Sequence, residues 1–218
     1  QTYSGPVVLG GTAGQFTGNV VSFGGTVDGG SRNINIAGDA AVAGAVSNAS
    51  TFAVSGATDL GANVSTTNAQ TYSGAVDLTG DATLVSTSGG VAFGSTVDGG
   101  FNLALSTPSG TANLAGGIGQ TAPLASLDVA ASAIDVGANI ATTGDQDFGA
   151  GVTLTGDATL NSSAGNVSFS GQVNGGQNLV VTTAGGVANF TQGAGLSSCL
   201  ASLTTDAGGT TRLNADVT

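Results

Sequence analysis

The sequence contains no histidine, lysine, glutamate, methionine or tryptophan, and its only cationic side chains are Arg32 and Arg212. Without histidine or lysine, the abundant serine and threonine hydroxyls have no general base to activate them as nucleophiles. Two arginines cannot form the basic patch that a phosphate backbone or an anionic lipid surface requires. One cysteine and no histidine leave structural zinc without ligands. We therefore expect no enzyme activity, no cofactor and no nucleic-acid partner.

Long apolar runs and cysteine pairs are missing as well. No stretch approaches the roughly 20 apolar residues that span a bilayer, and no signal-peptide pattern is present, so we expect no membrane insertion. Cys199 is the only cysteine, which excludes an intrachain disulfide. It occupies the position of Pro123 in the preceding repeat, so we expect a small, partly buried and replaceable residue. A reactive or intermolecular thiol is the alternative.

The residues that are present favour strands. Glycine accounts for 39 of the 218 residues, 40% of the chain is hydrophobic, and the formal net charge is −11. All thirteen acidic residues are aspartate. The strong helix formers are largely absent, whereas valine, threonine, isoleucine and phenylalanine suit pleated surfaces. This composition predicts an all-β chain whose negative charge keeps a strand-rich surface soluble.

The chain repeats itself nearly three times. QTYSGAVDLTGDATLVSTSGGVAFGSTVDGG, at 70–100, returns at 146–176 as QDFGAGVTLTGDATLNSSAGNVSFSGQVNGG, and a shorter version opens with QTYSGPVVLGG at Gln1. We divide the chain into repeats 1–69, 70–145 and 146–218 of a single domain, 1–218. A long repeat with strand signals and no helix signals indicates a stacked solenoid.

Strand-like runs recur about every 9 to 12 residues, separated by glycine, asparagine, aspartate or serine turns. In the middle repeat we predict strands at 72–78, 82–87, 91–97, 102–106, 112–114, 124–129, 133–136 and 139–142. Small side chains and unequal repeat lengths favour a solenoid over a sandwich or propeller. A repeat of about 76 residues would divide into four coils of about 19 residues or three of about 25, which gives roughly nine to twelve coils in all.

Four phrases of the sequence carry a family resemblance: QTYSGAVDL, LTGDATL, VAFGSTVDGG followed by an apolar strand, and PLASLDV with ANIATTG before the next glutamine. They resemble the repeats of giant bacterial surface adhesins of the filamentous haemagglutinin and autotransporter-adhesin kind. The resemblance implies a right-handed parallel β-helix, export to the bacterial cell surface, and service as a stalk or fibre in adhesion or matrix building. The third repeat departs from the pattern in carrying NGG for DGG and Cys199 for proline.

The aspartates are the candidates for chemistry. Paired carboxylates could cleave a polysaccharide, and clustered ones could hold calcium. However, Asp39, Asp81 and Asp157 each lie in a GDA triplet, and Asp28 and Asp98 each lie in VDGG. A catalytic cluster should occur once in an array, so repetition favours a turn role in which each side chain bonds its own backbone two residues on.

The closest local acidic pair is Asp145 and Asp147, which alternate along one strand and should both point outward into solvent. The repeat pattern of calcium-binding β-rolls is missing from the sequence. We therefore assign no catalytic, cofactor-binding or metal-binding residue.

These observations together predict a structural repeat unit of a secreted, extracellular bacterial fibre. Its expected partners are copies of itself or adjacent repeats, stacked end to end, with glycans or host and matrix surfaces as further partners. The alternative is a carbohydrate-binding or carbohydrate-cleaving β-helix of the tail-spike kind, which requires aspartates and aromatic side chains converging on one face. Against this alternative, aromatic content is 5%, and most phenylalanines occupy strand positions that should face inward.

Overall fold

A computed structural model describes residues 1–11, 14–206 and 208–218. These residues form parallel strands stacked in a β-solenoid of about 10 turns, with no helix, and the prediction of a parallel β-helix is confirmed. The strands are β1 (Thr2–Tyr3), β2 (Val7–Val8), β3 (Gly14–Phe23), β4 (Val27–Asp28), β5 (Ile34–Val42), β6 (Val46–Ala49), β7 (Phe52–Val54), β8 (Thr58–Leu60), β9 (Val64–Thr66), β10 (Gln70–Tyr72), β11 (Val76–Leu78), β12 (Ala82–Ser86), β13 (Val91–Phe93), β14 (Val97–Asp98), β15 (Asn102–Leu114), β16 (Ser126–Val136), β17 (Ile140–Thr142), β18 (Gln146–Phe148), β19 (Val152–Leu154), β20 (Ala158–Ser162), β21 (Val167–Phe169), β22 (Val173–Asn174), β23 (Asn178–Thr183), β24 (Val187–Phe190), β25 (Ser202–Thr205) and β26 (Thr210–Leu213).

The solenoid has three faces, each defined by one axial row of residues in register. Face 1 follows Val21, Ala40, Thr58, Val76, Val97, Ile118, Ile140, Leu160, Val181 and Thr205. Face 2 follows Val7, Val27, Val46, Val64, Leu84, Leu105, Val129, Phe148, Phe169, Phe190 and Leu213. Face 3 follows Gly14, Ile34, Phe52, Gln70, Val91, Ala112, Ile134, Val152, Val173, Ala194 and Val217. The chain visits faces 1, 2 and 3 in that order, and along face 2 the shortest turn runs from Val46 to Val64 and the longest from Leu105 to Val129.

The sequence repeat does not contain a whole number of turns. Gln70 lies on face 3, and Gln146, its counterpart, lies on face 2. Val97 on face 1 likewise corresponds to Val173 on face 3. Each step from one repeat to the next therefore spans three and two-thirds turns, one face short of four. The prediction of three long coils per repeat was wrong, and the prediction of four coils exceeds the observed number by a third of a turn.

The core follows from strict alternation within short strands. Most of the three-residue strands read buried, exposed or half-buried, buried, as in β7, β13 and β21. Aromatic rings from successive turns stack: the ring centroids of Tyr72 and Phe93 lie 5.3 Å apart, those of Phe148 and Phe169 lie 5.2 Å apart, and those of Phe169 and Phe190 lie 4.8 Å apart. Such ladders arise because equivalent residues of adjacent turns lie only about 4.8 Å apart along the axis. Phenylalanines were predicted to face inward, and Phe101, 37% exposed, is the exception.

The corners between faces shape the strands differently from our prediction. The predicted strand 72–78 is two strands, β10 and β11, with a corner between them, and 91–97 divides into β13 and β14 in the same way. Conversely, the predicted strands 102–106 and 112–114 are one strand, β15, which bends through a corner. Alternating apolar residues define which side chains face inward, but they do not show where the backbone turns.

Two features break the regular outline of the turns. The equivalent loops 119–123 and 195–199 follow Ile118 on face 1 and Ala194 on face 3. At another corner Gly38 has φ of +133°, and a side chain there would overlap the carbonyl oxygen of Gly18 in the preceding turn. Glycine is required at that position both for its conformation and for the close approach of two backbones.

Candidate functional site

Aspartate side chains at the corners connect successive turns. Asp39 Oδ1 accepts a hydrogen bond from the backbone N–H of Ala57 at 2.8 Å. Asp81 Oδ1 accepts from the N–H of Asn102 at 2.9 Å, and Asp157 Oδ1 from the N–H of Asn178 at 2.8 Å. In each case the donor lies one turn of the solenoid further along the chain. These carboxylates satisfy backbone donors that the strand ladder leaves unpaired at the corners.

This finding corrects the predicted partner of these aspartates. Asp28 does bond its own backbone two residues on, because its Oδ1 accepts from the N–H of Gly30 at 3.0 Å. Asp39, Asp81, Asp157 and Asp98 instead bond the neighbouring turn; Asp98 Oδ1 accepts from Thr121 and Ala122 N–H at 2.7 and 3.2 Å. The prediction that these aspartates are structural holds, but four of the five bond the next turn of the solenoid and not their own backbone.

Asparagines make the same inter-turn bond, and sequence reasoning missed them. Asn63 Oδ1 accepts from Thr83 N–H and Asn139 Oδ1 accepts from Thr159 N–H, both at 2.8 Å. Asn63 and Asn139 are one repeat apart, as are their two donors. The signal was available in the sequence as an asparagine that recurs with the repeat, together with a threonine one turn later. Both amides and carboxylates serve, because the bond requires only an acceptor oxygen.

Some aspartates, including Asp98, form ladders along the strands. Asp59, Asp77 and Asp98 are in register on three consecutive turns of face 1. On face 2, Asp128 is in register with Asp147. Carboxylates one strand spacing apart repel each other, and the solvent screens that repulsion. These ladders concentrate negative charge in lines along the rod.

Two carboxyl groups have shifted pKa values for different reasons. Desolvation by partial burial raises the pKa of Asp147, with smaller contributions in the same direction from Asp145 and Asp128, while a hydrogen bond from Ser168 opposes the shift. Asp145 and Asp147 are both exposed, as predicted. The pKa of Asp157 is lowered because the backbone N–H and the side-chain amide of Asn178 both donate to its carboxylate.

The acidic residues are spread along the rod. Within residues 1–11, 14–206 and 208–218, no three acidic or cysteine side chains group closely enough to hold a metal ion. Calcium prefers six to eight oxygen ligands gathered around one point, whereas the aspartate ladders extend in lines.

A buried polar cluster recurs with the repeat. Gln70 is fully buried; its Nε2 donates to the carbonyl oxygens of Val64 and Val85 at 3.0 and 2.8 Å, and its Oε1 accepts from the hydroxyl of Tyr72 at 3.1 Å. Burial raises the pKa of the Tyr72 hydroxyl far above its ordinary value. The cluster satisfies the glutamine amide completely, as a buried polar group requires.

The third repeat contains an incomplete copy of this cluster. Gln146 Nε2 donates to Thr142 Oγ1 at 3.2 Å and to the carbonyl oxygen of Asn161 at 2.9 Å. Phe148 replaces the tyrosine, so Gln146 Oε1 is buried without a hydrogen-bond partner. This is one of three buried side-chain oxygens in the described residues that lack a partner, the others being Thr58 Oγ1 and Thr183 Oγ1.

A groove lies along the corner between faces 2 and 3, and most of its lining residues belong to the third repeat. This corner groove has a volume of about 550 Å³, and its lining includes Ser132, Gly151, Thr153, Gln172, Asn174 and Gln192. Its side chains are amides and hydroxyls over a floor of glycine and alanine. These residues were not predicted from the sequence.

Cys199 is exposed, on the loop 195–199. The prediction that it is partly buried was wrong, because this loop extends beyond the regular turn instead of packing into it. Of the ten aromatic residues, Phe101 is exposed and Tyr3 is partly exposed, while the others are buried. The aromatic side chains therefore form no sugar-stacking platform on the surface.

No protein-family model, curated protein or solved structure matches this chain. Among the described residues no helix is long and apolar enough to cross a bilayer. The class of protein that the fold defines is a β-solenoid with internal repeats.

Proposed function

We propose that this chain is a structural repeat unit of a secreted bacterial fibre or adhesin stalk, which extends by stacking further repeats end to end. The observation that carries the proposal is the continuity of the axial ladder. Along face 2, one residue of each turn is in register with the next from Val7 to Leu213. Strand pairing, core rows and corner bonds all run along one axis, which is the arrangement that a load-bearing rod requires.

The core rows can accept another turn. Phe190 is fully buried beneath Leu213, whereas Leu213 itself is 52% exposed. Val217, above the buried Ala194, is 39% exposed. An apolar row and an unpaired strand edge favour pairing with a further strand of the same kind. That strand would belong either to a continuing polypeptide or to a second copy.

The surface supports a fibre exposed to solvent. A net charge of −11 with two arginines discourages the rods from aggregating side by side, while the apolar rows favour contact along the axis. The location at the bacterial cell surface rests on the family resemblance of the repeat phrases.

Electron microscopy and analytical ultracentrifugation of the purified chain test the proposal. We expect concentration-dependent species whose lengths are multiples of one unit of about 50 Å, the length of ten turns at the strand spacing. Leu213→Asp, which places a charge in the end row, should suppress them. Phe101→Asp is the matched control, because Phe101 is also a partly exposed apolar residue, at 37%, and lies in the middle of the rod, away from both ends. A monodisperse monomer at all concentrations, or equal effects of both substitutions, would refute end-to-end association.

A further inference from the structure

The corner groove differs from the equivalent corner of the preceding repeat. Gln172 and Gln192 correspond to Thr96 and Gly116, which stand one repeat earlier. Both glutamines line the groove. The corner bonds of Asp81 and Asn63 recur one repeat later at Asp157 and Asn139, whereas this pair of glutamines has no counterpart in the second repeat.

The groove also lacks charge in a strongly acidic chain. None of the thirteen aspartates and neither arginine lines it. Asn174, one of its lining residues, stands where the second repeat has Asp98 and the first has Asp28. Its Oδ1 accepts from the N–H groups of Ser197 and Ser198 at 2.9 and 3.3 Å, so the amide keeps the structural bond while removing the charge. Asp135 lies in register with Thr153 one strand away, outside the lining, so an anion is disfavoured here, while the lining itself offers no charged partner to a cation.

The amides are arranged to bind hydroxyl groups. Gln172 Oε1 accepts from Asn174 Nδ2 at 3.4 Å and from Ser197 Oγ at 3.1 Å, which leaves the Gln172 amino group available as a donor. Gln192 and Thr153 are exposed and add further donors and acceptors. Gly151 and its neighbours in the floor have little or no side chain, so a ligand can approach the backbone closely. A volume of about 550 Å³ falls in the range of small-ligand clefts.

We propose that the corner groove binds a neutral oligosaccharide through hydrogen bonds alone, with Gln172, Gln192 and Asn174 as the amides that bond its hydroxyl groups. No aromatic side chain lines the groove, so this mode of binding differs from the aromatic stacking of a tail-spike-like site. The lining residues come from four successive turns at this corner, so an extended sugar chain would lie along the solenoid. This binding activity is separate from end-to-end stacking and stands or falls independently of it.

The test is a titration followed by the side-chain amide signals of the ¹⁵N-labelled protein. The probes are neutral oligomers of glucose and of N-acetylglucosamine, compared with anionic oligogalacturonate. We expect a neutral oligomer to shift the amide signals of Gln172, Gln192 and Asn174, and the anionic oligomer to shift none of them. The double variant Gln172→Thr/Gln192→Ala should weaken binding about tenfold or more, because it removes two amide partners.

Gln15→Thr is the control variant, since Gln15 is exposed in the first repeat and distant in sequence from the groove. It should bind as the wild type does. Unchanged backbone amide spectra establish that each variant is folded. The proposal is overturned if no neutral oligomer shifts the groove signals at millimolar concentration, if the double variant binds as tightly as the wild type, or if the anionic oligomer binds more tightly.

Discussion

Replacing Phe148 by tyrosine should stabilise the protein, which is unusual for a substitution in a packed core. Gln146 Oε1 is buried without a partner, and in the second repeat the hydroxyl of Tyr72 occupies the corresponding place and donates to Gln70 Oε1 at 3.1 Å. The ring environments agree, because Phe148 stacks on Phe169 at 5.2 Å and Tyr72 stacks on Phe93 at 5.3 Å. A hydroxyl added to Phe148 could therefore donate a hydrogen bond to Gln146 Oε1, which has no other partner.

The expected size follows from hydrogen-bond energetics. Supplying the missing bond in Phe148→Tyr should raise the free energy of unfolding by about 1 kcal/mol, and Tyr72→Phe, which orphans Gln70 Oε1, should lower it by about 1–3 kcal/mol. In a chain of this size, 1 kcal/mol corresponds to a change of about 2–4 °C in Tm. Urea unfolding followed by circular dichroism measures both variants against the wild type.

A third variant isolates the bond from other effects of the hydroxyl. In a Gln146→Leu background the acceptor is gone, so Phe148→Tyr should become destabilising because it buries an unpaired hydroxyl. The cycle of four proteins gives the coupling between Gln146 and the new hydroxyl. If Phe148→Tyr destabilises the wild-type chain, or has the same effect in both backgrounds, the reasoning from the repeat is wrong.

Three further predictions concern pH and backbone geometry. Burial raises the pKa of Tyr72 above its value in the unfolded chain. The free energy of unfolding should therefore be unaffected by this group below pH about 10 and fall by about 1.4 kcal/mol per pH unit above it. Tyr72→Phe should remove that slope in urea titrations at alkaline pH. The hydrogen bonds from Asn178 lower the pKa of Asp157, so the contribution of this carboxylate to stability is present above pH about 4 and is lost as the pH falls. Asp157→Ala should therefore lower the urea midpoint at pH 7 and have the same midpoint as the wild type in acid. Gly38→Ala should lower the free energy of unfolding by more than about 2 kcal/mol, because φ is positive there and a Cβ would overlap the carbonyl oxygen of a neighbouring turn. Gly100→Ala, with open space around it, should change the free energy of unfolding by less than about 1 kcal/mol. Equal urea midpoints for the two variants would contradict the packing argument.

Composition and repetition predicted the class of fold, because the pattern of alternating apolar residues follows directly from which side chains face inward. The corners were predicted less well. Ser73 and Gly74 turn the chain between β10 and β11, whereas Thr107 and Gly110 lie within one continuous bent strand. Both segments contain the small and turn-forming residues that signal a break, so local sequence could not distinguish them. The difference depends on which strands of the neighbouring turns lie alongside.

The contacts of the candidate site residues with neighbouring turns were also not predictable from local sequence. The repetition of Asp81 and Asp157 predicted a structural role, but the partner of each carboxylate lies one full turn away, and that separation is set by the length of the turn. The corner groove was not predictable at all, because Gln172 and Gln192 come together only when two turns stack. Cys199 was also predicted incorrectly: alignment with Pro123 suggested a partly buried position, and the loop places it in solvent.

The repeat of three and two-thirds turns has a mechanical consequence for any longer array of such units. Loop 119–123 leaves the rod from face 1, and its counterpart 195–199 leaves from face 3. From the second repeat to the third, the loop therefore moves around the axis by about a third of a circle. In a longer array this rotation would distribute the loops around the axis instead of placing them all on one side of the rod. A longer array with this rotation would have no face that carries every loop, without requiring any single repeat to be symmetric.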